Sequence, residues 1–167
     1  MFRFERTSYV GRFIRIAGAF AAMLLIGSIG AAAPALGQAQ SAAPSLYQRV
    51  GGYDFIAKFV DTAFPRVAAQ PQLQRLFQGH SVDSQLRQRQ LIVDALCKEM
   101  GGPCIYIGRP MVLLHEGLHI TESDWTEFMK IISAALVELK VPDREKRDWI
   151  TLFDQTFRPA IVEGAAR

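Results

Sequence analysis

Between Tyr53 and Ala69 the apolar side chains Phe55, Ile56, Phe59, Val60, Ala63, Phe64 and Val67 recur at spacings of three and four. That is the period of a helix with one buried face. Pro65 lies inside the run, lacks an amide donor and crowds the preceding turn, so a kink is expected there. Before it, Ser45 is placed to cap a short helix, Leu46 to Val50, ended by Gly51-Gly52. After it, Pro71 to Gly79 is irregular and carries Leu73, Leu76 and Phe77. Asp83 or Ser84 opens a helix running to about Met100, with one stripe of Leu86, Gln90, Val93, Cys97 and Met100 and a second holding Ile92 and Leu96. Gly101-Gly102-Pro103 stops it and Cys104 to Gly108 is a loop.

Arg109 to Glu116 is a short helix with Met111, Leu114, His115 and Leu118 at i, i+3, i+4 and i+7, ended by Gly117. Thr121-Glu122-Ser123-Asp124 resembles a capping box with aspartate in the position usually held by Glu or Gln. The helix behind it buries Trp125, Phe128, Ile131, Ile132, Ala135, Leu136 and Leu139 and stops at Pro142. A last helix spans Asp143 to about Val162. No stretch alternates as a strand does, so the domain reads as all-α.

The first forty residues follow a different pattern. Arg3, Arg6, Arg12 and Arg15 precede an apolar run from Ile16 to Ala33, and Pro34 and small residues follow. This is the order of a secretory signal, with Gly37-Gln38-Ala39 as the expected cleavage site. The run is close to the roughly 18-residue minimum of a membrane span, so an uncleaved N-terminal anchor is the other reading. Residues 1–39 are thus expected to be a signal peptide or anchor. The domain, residues 45–162, is then exported, periplasmic in the first reading and tethered to the membrane in the second. The leader carries four Arg and one Glu, a surplus that equals the whole chain's formal charge of +3. The basic balance therefore gives no reason to expect nucleic acid as a partner, which needs a clustered basic surface on the folded domain.

The chain has two cysteines, Cys97 and Cys104. In an oxidising compartment they either bridge across the Gly-Gly-Pro turn or stay separate thiols. Neither belongs to a C-x-x-C-H string, so covalent c-type haem attachment is not indicated.

Two of the three histidines stand in His115-Glu116-Gly117-Leu118-His119. As a string this is H-E-x-x-H, which in zinc hydrolases puts two ligands on one helical face with the glutamate as general base. Glu138 is the candidate third ligand. Gly117 and the cap at Thr121 work against one continuous helix. Cut after His115, the stretch presents a single inward histidine on one apolar turn.

The order of several motifs carries a resemblance. Ser45-Leu46-Tyr47-Gln48-Arg49-Val50-Gly51-Gly52, then Gly101-Gly102-Pro103, then Tyr106-x-Gly108-Arg109-x-Met111, then His115-x-Gly117-Leu118-x-Ile120-Thr121 resemble, in sequence and spacing, the truncated haemoglobins of group I. The resemblance covers Ser45 to Val162. It implies a two-over-two helical sandwich around a non-covalent haem b. It implies His115 as the iron ligand, Phe77 against the porphyrin, and Arg89 near a haem propionate. Met111, Leu114, Leu118, Ile120 and Phe128 would line the proximal and rear walls. His119 would be a helix-end residue and His80 a turn residue able to swing in as a sixth ligand.

The expected ligands are oxygen, nitric oxide and carbon monoxide, with redox turnover and an unspecified electron donor as a further possibility. Phe64 stands where many relatives carry a tyrosine that donates to bound dioxygen, and a phenyl ring cannot donate. Leu86 and Gln90 are the expected distal-helix residues. A shift of register brings Ile92 or Val93 to the place of Gln90 and makes the pocket apolar.

Overall fold

A computed structural model describes residues 43–164. The leader and its cleavage site lie outside the described residues. Among the described residues all regular structure is helical. The helices are α1 (Leu46–Val50), α2 (Gly52–Ala69), α3 (Val82–Glu99), α4 (Met111–His115), α5 (Glu122–Glu138), α6 (Asp143–Leu152) and α7 (Arg158–Ile161). A 3-10 turn, Gln74–Leu76, sits between α2 and α3, and a π-helical turn, Phe153–Phe157, joins α6 to α7. No described helix is long and apolar enough to cross a membrane.

The caps explain most boundaries. Ser45 and Gln48 close a reciprocal capping box on α1, satisfying backbone donors that the first turn leaves unpaired. Thr121 and Asp124 do the same for α5, as expected. The third boundary differs from expectation. Ser81, two or three residues earlier than expected, caps α3 by accepting from the Ser84 amide at 3.2 Å. The short hydroxyl competes well for an orphan amide at a helix start.

α2 runs unbroken through Pro65 from Gly52 to Ala69. It packs against both α3 and α5, and burial of its apolar face outweighs the one hydrogen bond the proline deletes. Ile56, Phe59, Val60 and Ala63 are buried on it, against Val93, Leu96 and Cys97 of α3 and Ile132, Ala135 and Leu136 of α5. Trp149 of α6 is fully buried and packs against Phe59 with ring centroids 4.5 Å apart and the rings tilted by 53°. Each such side chain contributes roughly 1.5–3 kcal/mol on burial.

The predicted single helix from Asp143 to Val162 is interrupted. Pro159 removes an amide from the ladder, and Phe153–Phe157, the five residues before Arg158, widen into the π turn. Phe153 and Phe157 both stay buried across it, with ring centroids 5.1 Å apart.

Cys97 and Cys104 form a disulfide with Cα atoms 5.8 Å apart. Of the two readings the sequence leaves open, the bridge is the one adopted. It fastens the loop after α3 to the end of that helix.

Candidate functional site

α4 is only five residues long. Pro110 precedes it and Gly117 follows with φ +76°, a left-handed conformation that ends the helix just beyond His115. His115 is half-buried in the last turn. Its Nδ1 lies 2.9 Å from the carbonyl oxygen of Met111, one turn back. A carbonyl only accepts, so Nδ1 carries the proton and Nε2 keeps its lone pair. Burial lowers the His115 pKa, against the smaller raising effect of the Met111 bond, so the imidazole is neutral at neutral pH. This is a metal-ligand tautomer with its orientation set by backbone.

His119 is a different residue in every respect. It lies past the helix end, has φ +48°, is exposed, and pairs through Nδ1 with Glu163 at 3.0 Å. The two histidines therefore share no helical face. Glu138, the candidate third zinc ligand, is bound to Arg66 at 2.8 Å. Among the described residues no three His, Cys, Asp or Glu side chains are grouped to hold a metal ion. The zinc-hydrolase reading fails on this geometry.

The turn between His115 and α5 is held by residues that sequence reasoning passed over. Arg75, in the 3-10 turn, donates to the carbonyls of Leu118 (2.9 Å) and His119 (3.3 Å) and to the Asp124 carboxylate (2.7 Å). Asp124 is buried, and also accepts from the Thr121 amide and from Gln72. Burial pushes its pKa up. The bonds from Thr121 and Gln72 and the charge of Arg75 together outweigh that and hold the carboxyl below its ordinary value. The only sequence signal was the unusual aspartate in the capping box.

A cavity of about 460 Å³ opens between α2, the 74–80 segment and the start of α3. That is within the roughly 300–1,000 Å³ range of small-molecule sites. Phe64, Phe77, Leu86, Arg89 and Ile92 line it, with Asp61, His80, Gln85 and Gln88 adding polar groups. Phe128 of α5 meets Phe64 edge-on at 6.2 Å and so backs this wall.

Two expected residues are placed differently. Gln90 does not line the cavity. Its amide donates to Tyr53 and to Asp94 (3.0 Å). At about 100° per residue, the cavity face of α3 is centred between Gln85 and Ile92, and Gln90 lies more than about 100° round from it. Ile92 faces the cavity and Val93 is buried in the core. Arg89 does line the cavity, but its guanidinium is forked onto the Asp61 carboxylate at 2.6 and 2.7 Å. That bond is the main cause of a raised Arg89 pKa and a lowered Asp61 pKa. The acidic residue one turn before Pro65 has taken the guanidinium expected to serve a propionate.

The remaining expected residues, His115 among them, lie on α4, α5 and the turn between these helices, and none of them lines this cavity. Ile120 is buried, Met111 and Phe128 are partly buried, and Leu114 and Leu118 are 45% and 38% exposed. With Leu86 at 60%, these are large apolar side chains open to solvent in both regions. Such exposure marks a surface built for an apolar partner or ligand. A planar apolar macrocycle with a metal at its centre fits this set: aliphatic and aromatic walls with one imidazole nitrogen kept unprotonated. The residues present suit haem.

The domain is all-helical, with a half-buried neutral histidine on α4 and an aromatic-walled cavity between α2 and α3. The bacterial-like globin family model matches residues 45–161. A group 1 truncated haemoglobin, GlbN, of Mycolicibacterium paratuberculosis is 32% identical over 98 residues, 59% of this chain and 70% of that protein. The group 1 truncated haemoglobin of Tetrahymena thermophila is 26% identical over 101 residues, 60% of this chain and 81% of that protein. Among solved structures, truncated haemoglobin of Tetrahymena pyriformis in its Fe(III) form superposes with a TM-score of 0.64 at 22% identity, over 72% of this chain and 100% of that one. The 2/2 haemoglobin of Synechococcus gives the same TM-score and identity over 74% of this chain and 100% of that one.

The chain belongs to the bacterial-like globin family, on its truncated-haemoglobin branch. The fold is the truncated-globin 2/2 sandwich expected from the motif order. Membership implies haem-based ligand binding.

Proposed function

We propose that this domain is an exported haem protein that holds non-covalent haem b through His115 and binds oxygen, nitric oxide and carbon monoxide in the cavity beside Phe64. Haem iron, when bound, supplies coordination of diatomic ligands and an iron(II)/iron(III) couple. The observation that carries the reading is the His115 Nδ1 bond to the Met111 carbonyl at 2.9 Å, which keeps Nε2 free to ligate. Leu114 and Leu118 supply apolar contact on the side of His115, and Phe77, Leu86 and Ile92 supply it along the cavity. Leu86, Leu114 and Leu118 stay substantially exposed, so these surfaces are apolar but open to solvent.

Phe64 offers dioxygen no hydrogen bond, and Ile92 rather than Gln90 faces the cavity beside it. Retention of dioxygen is therefore weak compared with a tyrosine-bearing relative. Gln85 and His80 are among the polar residues on the lining. Turnover with nitric oxide or peroxide and an external electron donor follows from the same exposed, weakly gated site.

The test is to purify the full chain, add hemin and record the absorption spectrum. A Soret band of one haem per chain, lost in His115→Ala and kept in His119→Ala, supports the reading. An unchanged spectrum in His115→Ala would falsify it.

A further inference from the structure

We propose, on the reading of His115 as the iron ligand, that Arg75 is a positioning residue for its imidazole. Arg75 ties the edge of the cavity to the backbone turn that follows α4, and through that turn it holds His115 in place.

α4 gives His115 little support of its own. It is five residues long and His115 is its last residue. A helix this short keeps its shape only through tertiary contacts. Beyond it the backbone turns left-handed at Gly117 (φ +76°) and again at His119 (φ +48°). A residue other than glycine stays in that conformation only where its surroundings hold it there.

Arg75 does much of that holding. Its Nη1 donates to the Leu118 carbonyl at 2.9 Å and its Nη2 to the His119 carbonyl at 3.3 Å. The next carbonyl, of Ile120, accepts from the Glu163 amide at 2.9 Å. Three successive carbonyls are thereby fixed. Leu118 passes the restraint back, because its amide donates to the His115 carbonyl at 3.2 Å. Two hydrogen bonds through one residue thus join the guanidinium to the main chain of His115.

The guanidinium is itself anchored. Nη2 also donates to the buried Asp124 carboxylate at 2.7 Å. Its backbone lies in the Gln74–Leu76 turn, two residues after buried Leu73 and between Gln74 and Phe77, which line the cavity. A planar fork meets one carboxylate and two carbonyls in fixed directions, whereas an ammonium on a flexible stem keeps the charge and loses the directions.

The test uses the full chain as the parent and as Arg75→Ala, Arg75→Lys and Arg158→Ala. Arg158 forks onto Glu122 at 2.6 and 3.2 Å, so its loss controls for removal of an arginine–carboxylate pair at the start of α5. Three quantities are measured: the melting temperature, deuterium exchange of the Leu118 amide in haem-free protein, and the iron–histidine stretching band of the hemin-loaded, reduced protein by resonance Raman. In Arg75→Ala, Leu118 exchange is expected to quicken about tenfold to a hundredfold, as for loss of charge-assisted bonds. The stretching band is expected to shift and broaden while one haem per chain is retained. Arg75→Lys should recover melting temperature but neither the exchange rate nor the band, and Arg158→Ala should leave both as in the parent. A band in Arg75→Ala that coincides with the parent's overturns the proposal, and so does a band restored by lysine, which would reduce Arg75 to an ion pair. A parent without a Soret band sinks the haem reading and the proposal together. A parent Soret band that depends on His115, with an iron–histidine band indifferent to Arg75, sinks the proposal alone.

Discussion

The α4–α5 region around His115 and the α2–α3 cavity, here called the two walls, are built by different means. On the α4–α5 side, backbone does the holding: His115 bonds to a carbonyl one turn back, and Arg75 reaches two further carbonyls in the turn that follows. On the α2–α3 side, side chain holds side chain: Arg89 with Asp61, and Gln90 with Tyr53 and Asp94. Backbone partners survive substitution of the residues that supply them. Side-chain partners do not, so the α2–α3 wall is where the chemistry can change without disturbing the His115 imidazole.

The largest effect separating the walls is acidification. His115 has a depressed pKa, so neutral imidazole is favoured in the fold. Stability and ligating capacity are fully present above the unfolded value near 6.5 and are lost as pH falls through the lower folded value. Haem retention, followed by the Soret band, is expected to collapse on that descent while Arg89→Ala leaves the midpoint in place. A midpoint that moves with Arg89 would show the two walls to be coupled.

Next in size is Asp124→Asn. It removes the buried charge that Arg75, Gln72 and Thr121 converge on, and should cost about 1.5–3 kcal/mol in chemical denaturation. Because the Asp124 pKa is lowered in the fold, its contribution is present above about pH 4 and disappears as pH falls through the folded value. The variant should therefore show a flatter acid limb than the parent.

Phe64→Tyr places a phenol on the cavity wall. Dioxygen dissociation, measured by stopped flow, should slow by about tenfold to a hundredfold, the equivalent of about 1.5–3 kcal/mol. A parent protein that already releases dioxygen very slowly would mean that Gln85 or His80 supplies the missing donor.

The smallest expected effect is Arg89→Ala on stability. The pair with Asp61 is well formed but substantially exposed, with side chains 35% and 53% accessible. Solvent screening limits it to about 0–1 kcal/mol. A thermal melt within a few degrees of the parent is the expected outcome.

Much of the α4–α5 wall was legible in the sequence because its determinants are local. Gly117 and the Thr121 cap are readable within seven residues of His115, and they separate it from His119 without any tertiary information. Arg75 was illegible because its three acceptors lie more than forty residues away and two are main-chain carbonyls. Gln90 was misplaced because the stripe drawn through Leu86, Gln90 and Val93 spans three surroundings: Leu86 lines the cavity, Val93 is in the core, and Gln90 is exposed and turned to Tyr53 and Asp94. Periodicity reveals that a helix has a buried face but not which neighbour each part of that face meets.

By itself, the sequence determined an all-helical domain, the order of its glycine stops and caps, and the separation of His115 from His119. These depend on backbone conformations and spacings that a few adjacent residues impose. Only the tertiary structure decided that Cys97 and Cys104 bridge, that Asp61 takes the Arg89 guanidinium, that Ile92 rather than Gln90 faces the cavity, and that Arg75 reaches the turn after His115. Each of these depends on helix rotation and on partners brought together across the chain, and burial of the α2 face fixes them together.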